Sequence, residues 1–254
     1  MGERATATLR FYEELNDFLP ADRRKTDVAI EVDRARSVKD AIESAGVPHT
    51  EVDLIVVDGN SVDFAHLLRG GERVAVYPMF EALDISPLVR LRPRALREPR
   101  FVADGHLGKL ARHLRMAGFD TLWSNSWDDD AIVARSLAER RTILTRDKGM
   151  LRRREVERGY FVRAVESEAQ LAEVVRGLQL ESLIASFTRC RECNVMLEDV
   201  PKEKVAARLP EKVRGFYDRF KRCPGCERIY WEGTHFARMQ GVLSRLSGAT
   251  PSGA

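Results

Sequence analysis

No run of apolar residues in this chain approaches the roughly 20 needed to cross a bilayer as a helix. The opening MGERATATLR also lacks the basic start and apolar stretch of a secretory signal. These absences argue against a membrane role and make the cytoplasm the expected location. Cysteine is scarce, with four residues in 254, too few for a disulfide-stapled secreted fold. Histidine is scarce too, and of the five present His106, His113 and His235 have no partner at metal-ligand spacing. What is abundant is ordinary globular material, 44% hydrophobic and 32% charged, in a length sufficient for two domains. The net charge of +3 hides a division. Residues 1–84 hold 10 basic against 17 acidic residues, and the remainder holds 32 against 22. A basic surface of that kind suits a polyanionic partner, or is simply a solvated face.

The first 84 residues predict a small mixed domain. Ala7, Leu9 and Phe11 alternate with polar neighbours as in a half-buried strand, and residues 28–32 form a second. Ser37 with Asp40 reads as a helix cap, Val38, Ala41 and Ile42 as the buried face, and Gly46-Val47-Pro48 as the stop. Residues 54–57 run into the turn Asp58-Gly59-Asn60, and residues 74–78 close the unit. Residues 85–99 follow as a basic linker, rich in proline and arginine and therefore extended.

From residue 100 to 180 strands alternate with helices, which predicts a parallel sheet. Phe101-Val102-Ala103, Thr121-Leu122-Trp123, residues 142–145 and residues 160–165 are the expected strands. Leu107, Leu110, Ala111 and Leu114 mark the first helix, which Gly118 ends. Ile132, Val133 and Leu137 mark the second, and Leu171, Val174, Val175 and Leu178 the third. Asp104 and Asp147 each follow a strand, and Asp128, Asp129 and Asp130 crowd a helix start. Ligands of such sheets bind beyond the carboxyl ends of the strands. Carboxylates gathered there repel one another unless a cation neutralises them, and hard oxygen donors suit Mg²⁺ or Mn²⁺. Taken singly, each aspartate also reads as a cap or turn residue. Arg152, Arg153, Arg154 and Arg158 flank this edge as candidate nucleic-acid contacts.

The four cysteines come as Cys190-x₂-Cys193 and Cys223-x₂-Cys226, two knuckles that offer a tetrahedral thiolate set for structural zinc. A thioredoxin-like reading of Cys223-Pro224-Gly225-Cys226 alone leaves the other pair unexplained. The expected ribbon spans residues 186–235, with a helical insert whose apolar candidates are Val205, Leu209, Val213, Phe216 and Phe220. Ile229-Tyr230-Trp231 is a ribbon strand whose aromatics either stack on bases or pack inward, and residues 236–254 are read as a tail.

The segment D-x-x-L-G-K-L-A-R-x-L-R-x-x-G-F-D from Asp104, the D-D-x-I at Asp129 and the I-L-T-R-D ending at Asp147 resemble the PIN-like ribonuclease domain found at the C-terminal end of Mut-seven type exoribonucleases. That family also carries a four-cysteine module. The resemblance implies metal-dependent hydrolysis of RNA, with Asp104, Asp129 and Asp147 as the Mg²⁺ or Mn²⁺ ligands. Asp128 or Asp130 remain open as partners in that role. Where many such domains place a further acidic residue, this chain has Met150-Leu151-Arg152-Arg153-Arg154, which leaves the number of ions open. Residues 1–84 resemble the ubiquitin-like β-grasp fold, closest to its sulfur-carrier branch. Gly70-Gly71 precedes the last expected strand instead of ending the chain, which argues against sulfur transfer and for a protein-docking or supporting role. Two other functions stay in play: a non-catalytic RNA-binding adaptor, and a partner-docking protein of sulfur or cofactor metabolism. Every proposed ligand lies beyond residue 99, so a fragment starting near Pro99 is expected to keep cleavage and RNA binding.

Overall fold

Alternation of period two and helical spacing of three to four both translate into packed elements in the computed structural model, which describes residues 5–32, 35–78 and 99–246. The expected linker, apart from Pro99, lies outside these residues, as do residues 247–254 and the side chain of His235. The described residues divide into two compact units. One takes in those before position 79 together with 136–139 and 145–161; the other takes in 99–135, 140–144 and 162–246.

The first unit carries β1 Thr6–Phe11, β2 Asp27–Glu31, β3 Arg36–Ser37, α1 Val38–Ala45, β4 Leu54–Val57, β5 Asn60–Val62, β6 Leu67–Leu68 and β7 Arg73–Tyr77. Five of these strands form a sheet of order β2-β1-β7-β4-β5, in which β1 and β7 are parallel and the remaining pairs antiparallel. Ala7, Leu9 and Phe11 point into the core, where α1 buries Val38, Ala41, Ile42 and Ala45. The Ser37 hydroxyl accepts the Asp40 N–H at 3.2 Å and so caps the helix. Gly46 ends it in the left-handed conformation at φ 111°. This is the β-grasp arrangement. Gly70 and Gly71, at φ 99° and 95°, make an internal turn. The Glu72 carboxylate accepts the N–H groups of Arg69 and Gly70, and Gly71 N–H donates to Thr6. The glycine pair is therefore a fixed corner and offers no free carboxylate.

From residue 99 the chain runs through β8 Arg100–Ala103, α2 Gly108–Met116, β9 Asp120–Trp123, α3 Asp129–Glu139, β10 Thr142–Thr145, α4 Lys148–Leu151, β11 Gly159–Phe161 and α5 Ser167–Gly177. The four strands make a sheet of order β11-β10-β8-β9, and β8 runs parallel to both β10 and β9. Leu107, Leu110, Ala111 and Leu114 are all buried. In α3, Ile132 and Val133 are buried as their spacing predicts, but Leu137 is 43% exposed and Ser136 is buried in its stead. Position 136 lies four residues beyond Ile132, so helical geometry favours it whatever its polarity. The strand expected over 160–165 stops at Phe161. Beyond it the Glu173 carboxylate accepts the N–H groups of Arg163 and Ala164, which supplies side-chain acceptors in place of a strand partner.

The ribbon contains β12 Glu198–Val200, α6 Lys202–Val205, α7 Glu211–Phe216, β13 Phe220–Arg222 and β14 Ile229–Trp231, with an antiparallel sheet of order β12-β13-β14. The insert is two short helices. Val205 and Leu209 are buried, Phe220 belongs to a strand, and Phe216 is 82% exposed. Tyr230 and Trp231 pack inward, Tyr230 on the cysteines and Trp231 on the Val205 cluster. Where a tail is expected, Thr234–Leu246 forms α8, with Met239, Val242, Leu243 and Leu246 buried at spacings of three and four.

Candidate active site and metal centre

Asp104 stands immediately past β8, and its N–H donates to Leu144 O at 2.9 Å, which locks the ends of β8 and β10 in register. The turn behind it is shaped by one tryptophan. Trp123 Nε1 donates to Gly105 O at 3.0 Å, and a Cβ at Gly108 would come within 2.5 Å of the Trp123 ring. The glycine in L-G-K is thus a contact requirement: only hydrogen fits beneath that indole. Of the acidic cluster, Asp128 caps α3, its Oδ1 accepting the Ala131 N–H at 2.8 Å. Asp129 and Asp130 occupy the first turn, where negative charge suits the helix dipole. Asp147 follows β10 by two residues and caps α4 through an Oδ1 that accepts the Gly149 N–H at 2.6 Å.

Asp104 is half-buried, and Asp128, Asp129, Asp130 and Asp147 are exposed. Among the described residues, one set of three or more Cys, His, Asp or Glu side chains has its ligand atoms all within 4.8 Å of one another, and it is the four cysteines. The aspartates do not draw together to that degree. Arg152 is exposed, and its guanidinium donates to Gly46 O at 2.5 Å. Arg153 approaches Glu155 at 3.9 Å, Arg154 is exposed and Arg158 half-buried.

The two cysteine knuckles are built alike. Cys190 N–H donates to Val195 O and Cys223 N–H to Arg228 O; Asn194 N–H donates to Cys190 O and Glu227 N–H to Cys223 O. The residues after the second cysteines, Asn194 and Glu227, both take positive φ, 69° and 58°. In each knuckle the second cysteine's N–H, Cys193 or Cys226, points at the first sulfur at 3.4 Å. Sulfur separations of 3.6 Å for Cys190–Cys226 and 3.3 Å for Cys193–Cys223 are too long for disulfides and fit four donors around one ion. Burial opposes ionisation of Cys190, yet the Tyr230 hydroxyl at 3.0 Å and nearby N–H groups bring its pKa down to about 7. Burial, with the neighbouring sulfurs, pushes Cys193 up to about 12. Four thiols this close do not ionise together unaided, and a divalent cation is what makes the full thiolate set favourable.

Sequence reasoning missed the groups that fasten this centre to the sheet. Arg115, buried on α2, donates from Nε to Thr121 O at 2.8 Å and from an Nη to Glu192 O at 2.7 Å and Arg191 O at 3.2 Å. Its burial lowers its pKa against the pull of the nearby cysteines and Glu192. Asn194 Oδ1 accepts the Thr121 N–H at 3.0 Å while its Nδ2 donates to Asp120 at 2.7 Å. Asp120 in turn takes two hydrogen bonds from buried Arg141. The signals were present, an arginine in an apolar helix face and an asparagine after CxxC, but neither announces its partner.

Burial raises the Asp120 pKa, and the hydrogen bonds from Arg141 and Asn194 outweigh it, so the carboxyl stays below its ordinary value. A depressed folded value stabilises the fold above the unfolded pKa, and this gain is lost as pH falls through the folded one. Asp120→Asn is therefore expected to cost about 3 kcal/mol at pH 7, because Arg141 is left as a buried charge. In urea titrations the deficit should shrink below about pH 4; a deficit independent of pH would show that charge is not its cause.

The family model described as the Mut7-C RNAse domain matches residues 99–243, and that described as Mut7-C ubiquitin matches residues 4–84. No curated protein and no solved structure matches the chain. The first match covers more than half of the chain and takes in the parallel sheet, the aspartates and both cysteine knuckles, so the chain belongs to the Mut7-C RNAse family, with a Mut7-C ubiquitin domain ahead of its PIN-like core.

Proposed function

We propose that this chain is a ribonuclease that hydrolyses RNA phosphodiester bonds with Mg²⁺ or Mn²⁺ held by Asp104, Asp129 and Asp147, and that its four cysteines hold one structural Zn²⁺. The observation that carries the reading is the parallel pairing of β8 with β10, which sets Asp104 and the strand leading to Asp147 side by side. The donor chemistry fits a hard cation at the aspartates and a borderline-soft one at the thiols. Within the cluster Asp129 is preferred for its place three residues before Ile132, with Asp128 and Asp130 as the alternatives. When bound, the catalytic ion supplies a Lewis acid and a water of lowered pKa. The carboxylates hold and orient it, Trp123 fixes the turn behind Asp104, and nearby arginines offset charge on the scissile phosphate. Arg154 remains exposed for that role, with Arg153 and Arg158 beside it, whereas Arg152 already serves the Gly46 carbonyl.

A second basic surface lies on the insert. Lys212, Arg214 and Arg219 are exposed and have no ion pair among the described residues. Lys212 and Phe216 are four residues apart in α7 and share a face, which pairs a phosphate contact with a stacking ring.

The test is cleavage of a mixed RNA pool by the intact chain with Mg²⁺ or Mn²⁺ against the same reaction in EDTA, with RNA affinity followed against salt. Metal-dependent cleavage and an affinity falling at least about tenfold between 50 and 200 mM salt are expected. Binding that survives chelation, with no cleavage under any metal, would identify an RNA-binding adaptor instead. Cleavage products also decide between internal and terminal attack.

A further inference from the structure

We infer that the ubiquitin-like domain is an internal clamp on the segment that carries Asp147, with His49 and Glu51 as positioning residues; its catalytic consequence rests on the ribonuclease reading above. Residues 145–161 belong to the same compact unit as the β-grasp sheet, although the sequence assigns them to the nuclease. The contacts are specific and span more than 100 residues of chain. Glu51 is 4% exposed, and its Oε1 accepts the Phe161 N–H at 2.8 Å. The buried His49 ring sits between Glu43 Oε1 at 2.6 Å and Val156 O at 2.8 Å. Lys148, next to Asp147, donates to Asp17 O at 3.0 Å and lies over the rings of Phe18 and Phe161. Phe18 and Phe161 meet edge to face at 5.2 Å, and Phe161 packs on the β-grasp core. Arg152 closes the set on Gly46 O.

These contacts bracket the segment at 148, 152, 156 and 161. Between β10 and β11 only the four-residue α4 is regular helix, too short to hold itself in water. Asp147 caps that helix, so its orientation depends on what holds α4. A buried carboxylate such as Glu51 is costly unless hydrogen-bonded, and the N–H it accepts belongs to this segment. A free docking module would keep such groups for a partner; here they are spent on the chain's own backbone.

The experiment uses the full chain, as wild type, as His49→Ala/Glu51→Ala, and as His49→Phe, which keeps a ring and removes both nitrogen contacts. Amide hydrogen exchange, Mn²⁺ affinity and single-turnover cleavage are measured on each. Exchange over 147–161 is expected to quicken about tenfold or more while β8 and α5 keep their protection. Mn²⁺ binding should weaken several-fold, and the cleavage rate should fall about tenfold with RNA affinity within twofold. If the double variant loses its cooperative unfolding transition, His49→Phe decides. Unchanged exchange over 147–161 would overturn the clamp. Faster exchange with unaltered Mn²⁺ affinity would overturn its positioning role. Wild-type protein without RNA cleavage would refute the ribonuclease reading alone, since exchange and Mn²⁺ affinity still judge the clamp.

Discussion

Asp104→Asn is expected to lower metal-dependent cleavage by about a thousandfold, roughly 4 kcal/mol of transition-state stabilisation, with no loss of fold stability. The amide keeps the shape of the carboxylate and removes the charge a hard cation needs. Asp129→Asn and Asp147→Asn should behave alike, and each substitution has a built-in control. Asn caps a helix as well as Asp does, so Asp147→Asn leaves α4 capped while removing the ligand. Asp128 provides the converse: Asp128→Ala should cost about 1 kcal/mol by uncapping α3, yet retain cleavage. The three asparagine variants should be as stable as wild type in EDTA, because the amide keeps the shape of the carboxylate and the capping of the helix starts. Full activity in Asp104→Asn or Asp147→Asn would remove the aspartates from the site. If Asp128→Asn proves the damaging change of the cluster, the ligand moves by one residue.

Much of this architecture was legible because burial writes itself into spacing. Leu107, Leu110, Ala111 and Leu114 announce α2, and Ala7, Leu9 and Phe11 announce β1, since one face of each must be apolar. The same spacing marks α8, where Met239, Val242, Leu243 and Leu246 stand at helical intervals, but the small polar residues that follow make the stretch read as a tail. Leu137 and Ser136 show the opposite failure, where polarity suggested one residue and helix geometry selected its neighbour. What sequence could not disclose is partner choice by polar side chains. Glu51, His49, Arg115 and Asn194 all bond to main-chain atoms, and a backbone N–H or carbonyl is the same chemical target at every position. The candidate site inherits this blindness: motif order and family resemblance name candidate ligands, but not the groups that would hold them. A fragment starting near Pro99 retains every proposed ligand, yet it leaves behind the residues that bracket 145–161. Its expected outcome is accordingly reversed, from retained to impaired cleavage.

The proposed zinc site carries the other large effect. Cys190→Ser or Cys223→Ser is expected to abolish tight zinc binding, with elemental analysis of chelator-free wild type giving one zinc per chain. Structural thiolate sites contribute on the order of 10 kcal/mol of folding energy, more than the small cores around Leu197 and Val205 can replace. Residues 188–231 should therefore open, and by sequence alone the damage would end near there. Arg115 and Asn194 carry it further. When the first knuckle opens, Arg115 loses the carbonyls of Arg191 and Glu192 and remains a buried cation with fewer acceptors. Thr121 N–H loses Asn194, and Asp120 keeps Arg141 alone. β9 and the end of α2 should therefore lose exchange protection along with the ribbon, and Trp123, at the far end of β9 behind Asp104, should report it by fluorescence. Cleavage would then fall together with zinc. If Thr121 and α2 keep full protection while residues 188–231 exchange freely, the knuckles are an autonomous module, and Arg115 and Asn194 do not couple the two sites.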